Sequence, residues 1–306
     1  MPRARRLLLP LLAAAAMLAS PAVFAGTASA AGHGKGRGHR AHGVARLASA
    51  RVAGPRRHRA HRRQNRLSSG NPYSSADVLF RGSKIGDFHE NQSAPGAVTE
   101  VPDPAGSGAQ VLEMTVKNSD VYPITPTSDP RAQLLSPAII EPGEEFWWSG
   151  RFFLPADFPS SVPGWLTVME GPYGRPFDGT PPWHIEVNGS SIRWQRNDTY
   201  NWDVPWQMPL VKNSWVSVMV HERFGDSGFV EMWVDGQQTT FFGPGSINPD
   251  HEAQTDRLAM ATRDHSNDEG ANFTVIQSYR EAGMFNSVSL FQGPMAIGKT
   301  RASVED

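Results

Sequence analysis

Several side chains in this sequence are of types that can bind an anion or carry a proton, and alternation decides which of them share a strand face. Arg131 and Gln133, in Arg131-Ala132-Gln133-Leu134, are two residues apart and share one face of any strand. A guanidinium beside an amide can hold a carboxylate through charge-assisted hydrogen bonds. The same pair can also serve as a plain ion pair or cross-strand bond. Tyr279 alternates with Gln277 and Glu281, which reads as a polar groove face rather than a core. A phenol there can donate or accept a proton, and a nearby arginine is expected to lower its pKa. The alternative is a packed tyrosine with a bonded hydroxyl. His184 lies in a strand whose face also carries Glu186 and, across a hairpin, Arg193. It is the strongest histidine candidate for a base; a satisfied structural histidine is the alternative. His221, also on a strand, and His89, after the first strand, are weaker candidates. The loop Asp264-His265-Ser266-Asn267-Asp268-Glu269-Gly270 is rich in oxygen ligands, but Gly270 falls one position late for an EF-hand. Calcium is a candidate ligand there, and no cofactor is required.

The elements that must hold these groups read as strands. In Phe146-Trp147-Trp148-Ser149-Gly150-Arg151-Phe152-Phe153-Leu154, Phe146, Trp148, Phe152 and Leu154 fall on one face. Val216, Val218 and Val220 alternate with Trp215, Ser217, Met219 and His221. Val230, Met232 and Val234 alternate with Glu231, Trp233 and Asp235. This period of two, bounded by Gly, Pro, Asn and Asp, is the strand signature. Asn188-Gly189 and Asp235-Gly236 suit two-residue hairpin turns. Centring the first on Asn188-Gly189 pairs Ile185 with Ile192 and Trp183 with Trp194, and sets His184 opposite Arg193. Many short strands and little helix predict an all-β jelly-roll sandwich over residues 77–306.

The N-terminal part differs in kind. Of 29 Lys and Arg, 14 precede Asp77, where there is no Asp or Glu; the remaining 15 face all 30 acidic residues, so the body carries −15. A body that acidic is a poor partner for nucleic acid. Arg3, Arg5 and Arg6 precede an apolar run from Leu7 to Leu18, and small-x-small sites follow at Val23-Phe24-Ala25 and Ala28-Ser29-Ala30. Residues 1–30 read as a secretory signal peptide, compatible with general or twin-arginine export, and the protein is expected outside the cell. Residues 31–76 form a basic, His- and Gly-rich spacer without apolar periodicity, expected to be disordered. Its alternative role is electrostatic contact with an acidic cell envelope. There is no Cys, which excludes disulfides, thiolate metal sites and a Cys nucleophile. Nothing calls for an oligomer, and a monomer is expected.

Four stretches carry a family resemblance. Trp215-Val216-Ser217-Val218 followed by Gly228-Phe229-Val230-Glu231-Met232-Trp233-Val234-Asp235-Gly236 resembles the hairpin of concanavalin A-like jelly rolls. Arg131-Ala132-Gln133-Leu134 looks like the R-[SA]-E-L strand of alginate and heparin-type lyases. Gly143-Glu144-Glu145-Phe146-Trp147-Trp148-Ser149-Gly150-Arg151-Phe152-Phe153-Leu154-Pro155 and Tyr279-Arg280-Glu281-Ala282-Gly283-Met284-Phe285 are similar to two further strands of that group. Together they resemble the heparin lyase I-like, glucuronan- and alginate-lyase-related polysaccharide lyases, from about Phe80 to Val304. The sequence departs from that pattern: Glu170 and Pro172 stand where these lyases carry Gln-x-His, Glu281 where they carry Lys, and Phe285 where they carry a second Tyr.

The resemblance implies β-elimination at a uronate. A neutralised carboxylate acidifies the C5 proton, a base removes it, and an acid protonates the leaving oxygen. It implies Arg131 and Tyr279 in catalysis, with Gln133 on the substrate; His184, read from its strand face, is the candidate to replace the missing His as base, Arg193 on that face is a candidate substrate contact, and Glu170, in place of Gln, is a candidate substrate contact and acid or base. Sugar rings stack on aromatic faces, so Trp202 and Trp206, in Tyr200-Asn201-Trp202-Asp203-Val204-Pro205-Trp206, are candidate subsites. Tyr173-Gly174-Arg175 is a lesser one. The partner implied is a uronate-containing polysaccharide, and the acidic body favours a weakly sulfated one. The alternative is a non-catalytic carbohydrate-binding jelly roll. A retaining hydrolase of this fold needs two carboxylates about 5 Å apart, and its E-x-D-x-x-E strand has no counterpart; Glu231 and Asp235 lie four residues apart.

Overall fold

In the computed structural model of the chain, residues 75–121, 129–173, 181–198, 201–242, 255–263 and 273–305 are described. All belong to one unit, Leu67–Asp306. The other unit, Met1–Arg66, which includes the expected signal peptide and most of the basic spacer, lies outside the described residues.

The strands follow in chain order as β1 (Val78–Gly82), β2 (Glu90–Ser93), β3 (Val98–Pro102), β4 (Gln110–Lys117), β5 (Arg131–Leu135), β6 (Glu145–Phe153), β7 (Val162–Tyr173), β8 (Trp183–Gly189), β9 (Ser191–Asp198), β10 (Asn201–Pro209), β11 (Trp215–Arg223), β12 (Gly228–Val234), β13 (Gln237–Gln238), β14 (Leu258–Met260), β15 (Phe273–Arg280), β16 (Ser287–Gln292) and β17 (Met295–Gly298). Among the described residues, helix is limited to 3-10 turns at Ser75–Asp77, Ile85–Asp87 and Arg301–Ser303. The strands build two antiparallel sheets. The front sheet has seven, in the order β10-β9-β8-β7-β15-β5-β2. The back sheet has ten: β13-β12-β11-β6-β16-β4-β3, with β14 on β12 and β17 joining β6 to β1. The chain crosses between sheets repeatedly, so both layers close over one core: a concanavalin A-like jelly-roll sandwich.

Alternation puts the expected faces inside. Phe146, Trp148, Phe152, Val216, Val218, Val220, Val230, Met232 and Val234 of the back sheet meet Leu134, Leu166, Ile185, Val187, Trp194 and Ile276 of the front. Each such side chain, fully buried, contributes about 1.5–3 kcal/mol. Three indoles run through this interior, Trp148 to Trp183 at 5.6 Å and Trp183 to Trp194 at 5.7 Å between ring centres.

The Asp235-Gly236 hairpin forms as expected. Val234 pairs with Gln237, and both turn residues take positive φ, +49° and +77°. The other hairpin differs. Asn188 pairs with Ser191, so the turn is Gly189-Ser190, and only Gly189 has positive φ, at +58°. Glycine as the first central residue suits a type II′ turn. Ile185 therefore faces Trp194, and Glu186, rather than His184, stands opposite Arg193; His184 pairs with Gln195. The slip is by two residues, so each side chain keeps its expected face.

Candidate active site

The outward face of the front sheet carries a groove of about 420 Å³, lined by Trp165, Thr167, Glu170, Pro181, His184, Glu186, Asn188, Gln195 and Tyr279. These residues alternate with core residues along β7, β8, β9 and β15, so ordinary pleating supplies most of the lining. Glu170 is the exception. On β7, Trp165 and Thr167 point outward, and regular alternation would put Met169 there next. Instead the register shifts: Thr167 pairs with Glu186 of β8, but Met169 pairs with Ile185 and Glu170 with His184. The extra residue, Val168, has no register partner on β8 or β15. Val168 and Met169 both turn into the core. Glu170 thus comes to stand beside His184, the effect expected of a β-bulge.

The groove is polar at its base. Glu170, His184 and Glu186 are 4%, 7% and 2% exposed. His184 Nε2 lies 3.5 Å from Glu186 Oε2. Glu186 Oε1 has no hydrogen-bond partner within the protein. Tyr279 is partly buried and meets the Trp165 ring edge-on at 4.9 Å. The Arg131 guanidinium lies over the Tyr279 ring, 4.3 Å from its centre. Burial pushes the Tyr279 phenol above its ordinary pKa; Arg131 pulls the other way, while Asp129 and Glu170 reinforce the rise. The expected depression by arginine is therefore present but outweighed, and the phenol is held in its protonated form.

Not every expected residue reaches this groove. Gln133 is 1% exposed. Its Oε1 accepts from Arg131 Nη1 at 2.9 Å, and its Nε2 donates to Gln277 Oε1. Gln133 thus bonds both Arg131 and Gln277 and, almost fully buried, is not part of the groove lining. Arg193 is on the groove face of β9, opposite Glu186, but is not part of the lining. Trp206 is not part of the groove lining: β10 changes register between Asp203 and Trp206, and Trp206, partly buried, stands opposite Trp194 and packs against the core. The side chain of Trp202 lies outside the described residues, as do Tyr200, the Tyr173 side chain, Gly174-Arg175 and the oxygen-rich loop 264–270. His89 is exposed, and His221 is on the back sheet. Among the described residues no cluster of His, Asp and Glu is arranged to hold a metal ion.

Trp165, Thr167, Pro181, Asn188 and Gln195 are the lining residues that sequence reasoning missed. Gln195 follows Arg193 by two on the same strand face, and Trp165 and Thr167 alternate with Leu166 and Val168, so period-two spacing was the available signal.

Comparison with solved structures finds the following similarities. The endo-β-1,4-glucuronan lyase of the fungus Trichoderma reesei is 15% identical, over 74% of this chain and 98% of that one, with a TM-score of 0.55. An alginate lyase from Aplysia kurodai is 9% identical, over 74% of this chain and 100% of that one, with a TM-score of 0.48. No curated protein matches the chain. A family model described as polysaccharide lyase matches residues 82–260, which takes in the bulged strand and the His184 hairpin and stops short of the strand bearing Tyr279. With more than half of its 306 residues matched, this chain belongs to the polysaccharide lyase family.

Proposed function

We propose that this protein is a secreted lyase that cleaves a uronic-acid-containing polysaccharide by β-elimination. One observation carries the reading: a phenol held protonated and an imidazole flanked by two carboxylates face the same groove on a polysaccharide-lyase fold. In this reading His184, as neutral imidazole, removes the proton from C5 of the uronate. The imidazolium that forms is stabilised by Glu186 and Glu170 beside it. Electrons of the C5–H bond become the C4–C5 double bond, and the C4–O bond breaks. Tyr279 gives its proton to the departing oxygen. Arg131 over the ring stabilises the phenolate left behind and supplies the positive field that favours a carboxylate in the groove. Asn188 and Gln195 provide amide donors for hydroxyl or carboxylate oxygens.

The polymer class follows from charge. A body of net −15 repels a densely sulfated chain, so a polymer with one carboxylate per sugar, such as glucuronan, fits better than heparin. Secretion rests on residues 1–30, with their basic start, apolar stretch and small-residue cleavage sites.

The test is incubation with glucuronan, alginate, hyaluronan and heparin, with and without calcium, following the ultraviolet absorbance of unsaturated uronate ends. A rise on a weakly charged uronan and none on heparin is the expected result. No rise on any polymer would overturn the reading, and saturable binding without product would make the groove a binding site only. N-terminal sequencing of protein from the culture medium tests export; an intact Met1 there would count against a cleaved signal.

A further inference from the structure

Gln292, at the end of β16, is fully buried in the back sheet, where its backbone pairs with Leu112 and Phe152. Its side chain reaches across the sandwich. Nε2 donates to the carbonyl oxygens of Val168 on β7 and Gln277 on β15, both at 3.0 Å. These two carbonyls belong to the stretch where the front sheet falls out of register. Val168 has no partner on either neighbouring strand, and Gln277 and Ser278 have none on β7. A bulge leaves backbone groups without ladder partners, and burying them unpaired is costly. One amide from the opposite sheet meets that need twice. Room for the inward-turned Met169 comes from the same back sheet: a Cβ on Gly150 would stand 3.1 Å from Met169 Cε.

We infer that Gln292 is a positioning residue for the groove: by pinning the Val168 and Gln277 carbonyls it keeps Glu170, rather than Met169, beside His184. The consequence for turnover rests on the proposed function above, because Gln292 does not line the groove and acts through the bulge.

Gln292→Met keeps length and removes both donors. A displaced carboxylate next to the base is expected to lower kcat by about 10- to 100-fold. KM should change little, and the pH profile of kcat should shift. Amide exchange at Met169 and Glu170 should accelerate while the rest of β7 stays protected. Should that variant not fold, Gln292→His, with one ring donor, replaces it and is expected to give a smaller loss with the same local exchange. Unchanged kcat, or a loss of kcat with exchange at the bulge unchanged, overturns the inference. If the wild-type protein cleaves no uronan, the proposed function fails on its own, and exchange alone then decides whether Gln292 holds the bulge.

Discussion

Two histidines sit on strands beside carboxylates, one on each outward face of the sandwich, and their surroundings differ. His221, on the back sheet, is closed in. Its Nδ1 lies 2.6 Å from Glu231 Oε2 and its Nε2 lies 3.6 Å from Glu145. The Trp147 ring lies flat on it at 4.3 Å, and Phe229 meets it edge-on at 5.1 Å. Arg257 then bonds Glu231 at 3.0 Å and covers the Phe229 ring. His184, on the front sheet, has a carboxylate neighbour with one oxygen unpartnered and a groove in front of it. A histidine–carboxylate pair on a strand is thus no site in itself. What separates the two is whether stacked rings and a counter-charge already occupy the space a ligand would need.

The sharpest way to break this comparison is to exchange each histidine for glutamine. His184→Gln should lower kcat by about 10²- to 10⁴-fold, the worth of a positioned base. Tyr279→Phe should do the same for the acid, with KM little changed in both. His221→Gln should leave kcat close to wild type and act on stability instead. Equal losses from the two histidine variants would remove any distinction between the faces. Arg131→Met comes next, with an expected loss of about 10- to 100-fold in kcat, because it withdraws charge from the phenolate without removing a proton carrier. Its control is Gln133→Leu, which should mimic Arg131→Met in part if Gln133 serves to orient the guanidinium. A Gln133→Leu variant with wild-type turnover would show that Arg131 needs no such support.

The sandwich was legible because buried faces repeat every second residue over several strands, as in Val216, Val218 and Val220. The hairpin after β8 shows how forgiving that signal is. A two-residue error in register moved His184 from Arg193 to Gln195 yet left its face unchanged. Tyr279 and His184 reached the groove for this reason. The neighbourhood of Glu170 was not legible from spacing, since a bulge flips parity and nothing in Thr167-Val168-Met169-Glu170 marks one; its partner Gln292 comes from a strand more than 120 positions away in the chain. The setting of Trp206 was hidden for a related reason. It sits in a polar, proline-containing segment that reads as loop, whereas β10 pairs through it and a register change sets it opposite Trp194, partly buried against the core. Gln133 shows a third limit: alternation gives the face of a side chain but not whether neighbours on that face have already used its hydrogen bonds.

The smallest effects concern two glutamates on adjacent back-sheet strands, one facing in and one facing out. Glu222 points into the core, where its Oε2 accepts from Trp183 Nε1 at 3.0 Å and its Oε1 has no partner. Burial pushes its carboxyl well above the ordinary range, against the pull of its hydrogen bonds. The folded protein therefore keeps a proton that the unfolded chain loses once the pH passes the usual glutamate value of 4.5. Stability should fall as pH rises through that window, by about 1.4 kcal/mol per pH unit. Glu222→Gln should remove this slope, matching wild type in acid and exceeding it at neutral and higher pH in urea titrations. Equal slopes would show that Glu222 ionises in place. Glu231 is the opposite case. Burial alone would raise its carboxyl, but bonds from Arg257 and His221 outweigh that and hold it below the ordinary range. Its contribution is present above the unfolded value and lost as pH falls through the folded one. Since Arg257 is more than half exposed, Arg257→Met should cost only about 0.2–1 kcal/mol at neutral pH. That cost should shrink in acid, where the carboxyl is protonated in either chain, and kcat should stay as in wild type. A cost that persisted in acid would mean that Arg257 acts by packing on Phe229 rather than by charge.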